Sequence, residues 1–187
     1  MTELLLVRHG ETDWNREGRY QGQTDVPLNA TGLAQAEALA ESQRGRPLDW
    51  VYASDMQRAR QTAEILGRVT GAPVHIDRRL REIHLGAWEG QLFNQIQETQ
   101  GDLLAQRDRE PLDNRPPGGE SVREVMARVL PLLDEIQRRH PDGRVAIVSH
   151  GAALAVIKIH VLDLPVEAVW DHVPRNGSVE EISLEAP

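Results

Sequence analysis

Short apolar runs alternate along the chain with segments of helical periodicity. Five runs are typical of short strands, at residues 4–7, 50–53, 73–76, 145–148 and 179–184. Between them, apolar residues recur at spacings of three and four, which predicts helices capped by Thr31 and Ser54 and a further amphipathic helix from Ser121. We expect Pro131 to kink or divide the helix that follows Ser121, because proline cannot donate a helical hydrogen bond.

This alternation predicts the architecture of the fold. Strands interleaved with helices favour an α/β class, here a three-layer α/β/α sandwich around a mostly parallel sheet. The chain has 187 residues, so we expect residues 1–187 to form a single domain. Residues 91–117 are the least regular part, and they predict a partly helical excursion closed by a turn at Gly118 and Gly119.

Composition and charge narrow the possible partners. The net charge of −8 disfavours nucleic acid and anionic membranes, which are bound through basic surfaces. There are no cysteines, so disulfides and thiolate metal sites are excluded. The longest apolar run, residues 152–157, is too short to span a membrane, and the first ten residues lack a signal-peptide pattern. We expect a cytoplasmic protein whose partner is a small molecule, and nothing in the sequence indicates its oligomeric state.

Two of the predicted strands end in similar polar sequences. Residues 4–7 run into Arg8-His9-Gly10, and residues 145–148 run into Ser149-His150-Gly151. In open α/β sheets the functional site lies beyond the carboxyl ends of the strands. The two histidines are therefore predicted to lie at one site.

Further sequence blocks surround these strand ends. The first block, LVRHGETDWN at 6–15, continues as QGQTDVPL at 21–28. SDMQRARQTA follows at 54–63, LREIHLG at 80–86, PPGGES at 116–121 and SHG at 149–151. In this order the blocks resemble the signature of the histidine phosphatase superfamily, which includes the cofactor-dependent phosphoglycerate mutases. The resemblance implies a phosphoglycerate mutase-like fold.

The resemblance also implies a catalytic set. His9 matches the nucleophile, Arg8 and Arg58 match a clamp on the phosphoryl oxygens, Glu82 matches the general acid and His150 matches a second imidazole that donates to the phosphoryl group. The chemistry agrees, since neutral imidazole is a competent nucleophile when its other nitrogen is protonated and held by a carbonyl. Guanidinium groups suit the oxygens of a phosphoryl group.

Four further residues are assigned to substrate binding. Asn15 offers a neutral donor, and Gln21 and Gly22 lie in the continuation of the first block. Gly151 opens a predicted helix, whose first N–H groups favour anions. We expect no metal and no cofactor, because the other five histidines (His75, His84, His140, His160 and His172) lack metal-ligand spacing.

Each catalytic assignment has a structural alternative. His9 could be a structural histidine at a strand end, and Arg58 could be a solvated helix arginine like Arg60 and Arg68. Glu82 could form an ion pair with Arg79 or Arg81. The matching blocks favour the catalytic interpretation in each case.

The predicted reaction is metal-independent hydrolysis of small phosphomonoesters through a phosphohistidine intermediate. Mutases of the family have a longer, more basic insertion after the Glu block, whereas residues 91–117 contain three arginines and five carboxylates. The phosphatase is therefore favoured. The alternatives are a cofactor-dependent phosphoglycerate mutase and a non-catalytic module that binds phosphorylated ligands.

The sequence also suggests how the pocket is lined. Ala152 offers only a backbone donor after His150-Gly151. The side chains of Trp88, Leu92, Phe93 and Ile96 suggest an apolar wall at the mouth of the pocket.

Overall fold

The computed structural model describes residues 1–184, in which five strands form one sheet. The strands are β1 Thr2–Arg8, β2 Trp50–Ala53, β3 Val74–Ile76, β4 Arg144–Ser149 and β5 Val179–Leu184. Their order across the sheet is β3-β2-β4-β1-β5, and only the pairing of β5 with β1 is antiparallel. The predicted α/β class and mostly parallel sheet are confirmed.

Helices connect the strands. They are α1 Asp13–Glu17, α2 Ala30–Ser42, α3 Gln57–Thr70, α4 Phe93–Arg109, α5 Val122–Arg139 and α6 Gly151–Val161. Short 3-10 helices cover Arg78–Leu80, Gly86–Trp88 and Val166–His172. The irregular segment 91–117 therefore contains α4, and it ends in a turn where the Gly119 N–H donates to the Pro116 carbonyl.

The core has two parts, one on each face of the sheet. Successive residues of a strand point to opposite faces, so Leu4 and Leu6 of β1 pack with residues of α4, α5 and α6, while Leu5 and Val7 pack with α2 and α3. Each face of the sheet is therefore covered by helices. The result is the three-layer arrangement that the sequence predicted.

Two helix starts differ from the prediction. The N-cap of α2 is Asn29 rather than Thr31, and its side chain accepts a hydrogen bond from the Gly32 N–H at 2.8 Å. Asparagine is as good a cap as threonine, and the earlier position places Thr31 within the first turn. The predicted cap at Thr31 is wrong by two residues.

The start of α3 is satisfied from a distant loop. Met56, not Ser54, is the N-cap and makes no side-chain cap bond. Instead the Gln57 N–H donates to the Asp25 carboxylate at 2.7 Å, and a carboxylate is favoured at the positive end of a helix. Periodicity within residues 54–66 could not have predicted a partner 32 residues away.

The helix that contains Pro131 is not divided. α5 runs from Val122 to Arg139, and it starts with a capping box between Ser121 and Glu124. Buried residues on both sides of Pro131, Val129 and Leu133 among them, contact the same core. This packing compensates for the loss of the backbone hydrogen bond that proline cannot donate.

Candidate active site

The register of β1 and β4 brings the two histidines together. Arg8 at the end of β1 is level with Ser149 at the end of β4, and the strands are parallel. The next residues, His9 and His150, therefore leave the sheet at the same edge. Their ring centroids lie 5.1 Å apart, and their exposed fractions are 2% and 0%.

The His9 ring is held in one tautomer. Its Nδ1 lies 2.7 Å from the Gly10 carbonyl oxygen, and since a carbonyl can only accept, Nδ1 carries the hydrogen. Nε2 is left with its lone pair. Gly10 is required because a Cβ there would lie 2.8 Å from the Cα of Gly32 at the start of α2.

The electrostatic environment keeps both imidazoles neutral. Burial, together with the positive charges of Arg58 and Arg8, lowers the pKa of His9 well below its ordinary value. Burial and the charge of Arg58 lower the pKa of His150 in the same direction. Neither ring nitrogen of His150 has a hydrogen-bond partner in the described part of the chain.

Arg58 is a buried residue of α3, not a solvated one. It is 1% exposed, and its guanidinium donates to the carbonyls of Thr24 and Gly22 at 2.9 and 2.8 Å. Burial lowers the pKa of Arg58 to about 10, so it remains charged at neutral pH. Arg60 and Arg68 are exposed, as the sequence predicted, and the structure pairs them with Glu64 and Glu37.

Arg8 is anchored from the opposite side of the site. Its guanidinium donates to the carbonyl of Pro174, in the segment that follows the 3-10 helix Val166–His172. Burial lowers the pKa of Arg8, and the nearby Glu82 carboxylate partly offsets this effect. Since both arginines donate to neutral carbonyls, their positive charges remain available to an anion.

Glu82 makes neither of the ion pairs that its neighbours could have formed. Arg79 pairs with Asp77 and Glu135, and Arg81 pairs with Asp55. The Glu82 carboxylate instead accepts from the N–H groups of Ile83 and Ala152 at 2.9 and 3.0 Å. The structural alternative for Glu82 is therefore wrong.

The same contacts change the interpretation of the start of α6. The Ala152 N–H is the backbone donor that the sequence assigned to the pocket, but in the structure it donates to Glu82. A carboxylate at a helix N-terminus is favoured by the helix dipole. The start of α6 thus positions Glu82.

The predicted binding residues lie beside His9. Asn15 belongs to α1 and Gln21 lies just after that helix, and both take hydrogen bonds from the Thr12 side chain or backbone. Gly22 has a φ of 54°, a conformation that favours glycine, and this turn aims its carbonyl at Arg58.

These groups surround one cavity of about 300 Å³. Every predicted site residue except His150 borders it: Arg8, His9, Asn15, Gln21, Gly22, Arg58, Glu82 and Gly151. His150 is fully buried against His9 and does not contribute to the cavity wall.

The apolar wall differs from the one predicted. Trp88 and Ile96 are fully buried in the core, and Phe93 is 45% exposed outside the cavity. Aromatic and aliphatic side chains from other segments, Tyr20 and Trp170 among them, border the cavity instead. Trp88, Leu92, Phe93 and Ile96 lie close together along the chain, but none of them borders the cavity.

The sequence also failed to identify a buried arginine. Arg107 of α4 borders the cavity with 5% exposure, its guanidinium lies 4.0 Å from the centre of the Trp170 ring, and its Nε has no described partner. The count of charged residues over 91–117 does not distinguish this buried arginine from exposed ones. Helical spacing from the buried Leu104, three residues earlier, places Arg107 on the inner face of α4 and could have indicated it.

Neither a metal-binding cluster nor a membrane-spanning helix is present in the described part of the chain. Among residues 1–184, no group of three or more His, Cys, Asp or Glu side chains is arranged to hold a metal ion. Over the same residues, no helix combines the length and apolar character that crossing a membrane requires.

Comparison with known proteins identifies the family. The family model "Histidine phosphatase superfamily (branch 1)" matches residues 4–186. The chain belongs to this superfamily. The resemblance seen in the sequence blocks is confirmed over almost the whole chain.

Relatives in this superfamily include phosphatases and mutase-like proteins. A probable phosphoglycerate mutase GpmB of Salmonella choleraesuis (strain SC-B67) is 36% identical, over 99% of this chain and 86% of its own length. A mycobacterial glucosyl-3-phosphoglycerate phosphatase in complex with VO3 is 38% identical with a TM-score of 0.89, covering 97% of this chain and 90% of that chain. The alpha-ribazole phosphatase of Shigella flexneri is 27% identical with a TM-score of 0.85, covering 97% and 90%. The protein is thus a histidine phosphatase superfamily enzyme of phosphatase or mutase-like type.

Proposed function

We propose that this protein is a metal-independent phosphomonoester hydrolase that acts on small phosphorylated metabolites through a phosphohistidine at His9. The observation that carries the proposal is the hydrogen bond from His9 Nδ1 to the Gly10 carbonyl. It leaves Nε2 unprotonated at the edge of a cavity that Arg8, Arg58 and Glu82 also border.

The first step forms the phosphoenzyme. The Nε2 lone pair of His9 attacks phosphorus, the P–O ester bond breaks, and Glu82 in its protonated form gives a proton to the departing oxygen. Arg8 and Arg58 stabilise the charge on the phosphoryl oxygens, which is the main task in phosphoryl transfer. His150 does not border the cavity, but its ring lies against that of His9, so a phosphoryl group bonded to His9 would bring an oxygen acceptor towards its unpartnered N–H.

The second step releases phosphate. Water attacks phosphorus, the Glu82 carboxylate takes the water proton, and the P–N bond to His9 breaks. His9 and the protonated Glu82 are then restored for the next cycle. The cavity volume of about 300 Å³ suits a small metabolite rather than a protein segment.

One observation favours a second candidate, a cofactor-dependent phosphoglycerate mutase. Arg107 adds a third buried cation to the cavity, and a mutase needs positive charge for a substrate that carries more than one anionic group. Of the proteins compared above, one is named a probable phosphoglycerate mutase. The two candidates differ in whether the phosphoryl group passes to water or to a second hydroxyl.

The proposal is tested by trapping the intermediate. Brief exposure to a ³²P-labelled phosphomonoester should leave label on the protein through an acid-labile, base-stable bond. His9→Gln should abolish labelling, while the control His160→Gln, at an exposed position on α6, should retain it. Retained labelling in His9→Gln would remove His9 from the nucleophile role. No labelling and no phosphate release in the unaltered protein would instead favour a non-catalytic binding module.

A further inference from the structure

The orientation of the amide of Asn176 is fixed by a backbone group. This residue lies outside the cavity, in the segment between the 3-10 helix Val166–His172 and β5. One atom of its amide lies 3.3 Å from the His9 carbonyl oxygen, and since a carbonyl only accepts, that atom is Nδ2. The other hydrogen of Nδ2 is directed at the side chain of Asn15, 3.1 Å away.

The orientation of Asn15 is fixed in the same way. The Thr12 backbone N–H, which can only donate, lies 3.1 Å from one atom of the Asn15 amide, and that atom is therefore Oδ1. An amide oxygen has two lone pairs. The Thr12 N–H and Asn176 Nδ2 fill both of them.

The hydroxyl of Thr12 then has only one available acceptor for its hydrogen. Its Oγ1 lies 3.0 Å from Asn15 Oδ1 and 2.9 Å from Gln21 Oε1, but it carries a single hydrogen. Because Asn15 Oδ1 already accepts two N–H donors, the hydroxyl donates to Gln21. Gln21 Oε1 is thereby turned away from the cavity, and its Nε2 is left towards it.

We propose that Asn176 is a positioning residue for Gln21: by occupying a lone pair of Asn15 Oδ1 it directs the Thr12 hydroxyl to Gln21, so that the N–H groups of Gln21, like those of Asn15, face the bound phosphoryl group. Both residues border the cavity, and their amide nitrogens have no partner among residues 1–184. The inference rests on the proposed function, since it assigns these N–H groups to an anionic ligand. Asn176 itself does not touch the ligand.

Removing Asn176 has a specific consequence. Asn15 Oδ1 would regain a free lone pair, and the Thr12 hydroxyl would then donate to Asn15 instead of Gln21. Gln21 would be free to turn its amide and present Oε1 to the anion, which repels it. Asn15 would keep its orientation, so the loss would act through Gln21 alone.

A double-mutant cycle on the full chain tests this coupling, with inorganic phosphate as the probe and calorimetry as the readout. Asn176→Leu and Gln21→Met should each weaken phosphate binding about 3- to 10-fold, the size expected for one neutral hydrogen bond. In the Gln21→Met background, Asn176→Leu should add less than about 2-fold, because its effect passes through the missing amide. A merely structural Asn176 would give losses that multiply, and that result would overturn the inference.

A second measurement needs only the unaltered protein. On addition of phosphate, the side-chain NH₂ signals of Asn15 and Gln21 should shift in a ¹⁵N–¹H spectrum. The NH₂ signal of Asn176 should stay in place, since both of its hydrogens are already bonded within the protein. A response of Asn176 without one from Gln21 would overturn the inference while leaving the proposed function intact. Failure of phosphate to bind the unaltered protein at all would count against the proposed function itself.

Discussion

Two buried neutral histidines should make the protein less stable as the pH falls. The folded state lowers the pKa of His9 and His150 well below the ordinary value, while the unfolded chain returns each to about 6.5. The unfolded state therefore binds more protons at acid pH, and the stability present above pH ~6.5 is lost as the pH falls towards the folded-state values. Between pH 7.5 and 5.5 each histidine that stays neutral in the fold lowers the free energy of unfolding by about 1.4 kcal/mol, and the pair by about 2.7 kcal/mol.

Urea unfolding at pH 7.5, 6.5 and 5.5, in buffers without phosphate, measures this loss. The unaltered protein should lose about 2.7 kcal/mol more over this range than the double variant His9→Gln/His150→Gln, whose side chains do not titrate. All other groups are common to both proteins and cancel in the difference. The exposed control His160→Gln should follow the unaltered protein. An equal loss in the double variant and the unaltered protein would refute the conclusion that these imidazoles are neutral in the fold.

Three further predictions concern the reaction. In a single turnover, Glu82→Gln should slow the phosphorylation of His9 by an alkyl phosphate about 10²–10⁴-fold. The rate with p-nitrophenyl phosphate should fall far less, because its leaving group needs no proton. Equal losses with both substrates would mean that Glu82 acts by shaping the pocket. Turnover should survive excess chelator, and a complete loss restored by a divalent ion would contradict the arginine clamp. The phosphoenzyme should transfer its phosphoryl group to water faster than to 3-phosphoglycerate, whereas interconversion of 2- and 3-phosphoglycerate with little phosphate release would favour the mutase.

Strand ends were the most predictable part of the site. Apolar runs that stop at Arg8-His9 and Ser149-His150 need only a parallel pairing to bring the two histidines together, and β1 and β4 pair in that register. The arrangement follows from the sequence because both residues lie directly after a strand, where no loop intervenes. Glu82 needed the sequence resemblance as well, since it lies in an irregular segment between two 3-10 helices.

Contacts between distant segments were the least predictable part. The cap of α3 comes from Asp25, and the Asn15 side chain accepts a hydrogen bond from Asn176, which is 161 residues away. Neither contact leaves a periodic signal in the sequence. Arg107 is intermediate, because its burial follows from the spacing of α4, whereas its position beside Trp170 depends on how α4 packs against a much later segment.

The arrangement of the arginines explains how an acidic protein can hold an anion. The net charge of −8 describes the field that a distant polyanion meets, not the field inside a cavity. Arginines outside the cavity, such as Arg79, Arg81 and Arg123, are paired with carboxylates. Arg8 and Arg58 instead donate to backbone carbonyls, which orient a guanidinium without cancelling its charge. Positive charge is therefore concentrated at the end of β1 because these arginines are held by neutral partners. Replacing such a carbonyl contact with a carboxylate would weaken the proposed phosphoryl clamp without moving it.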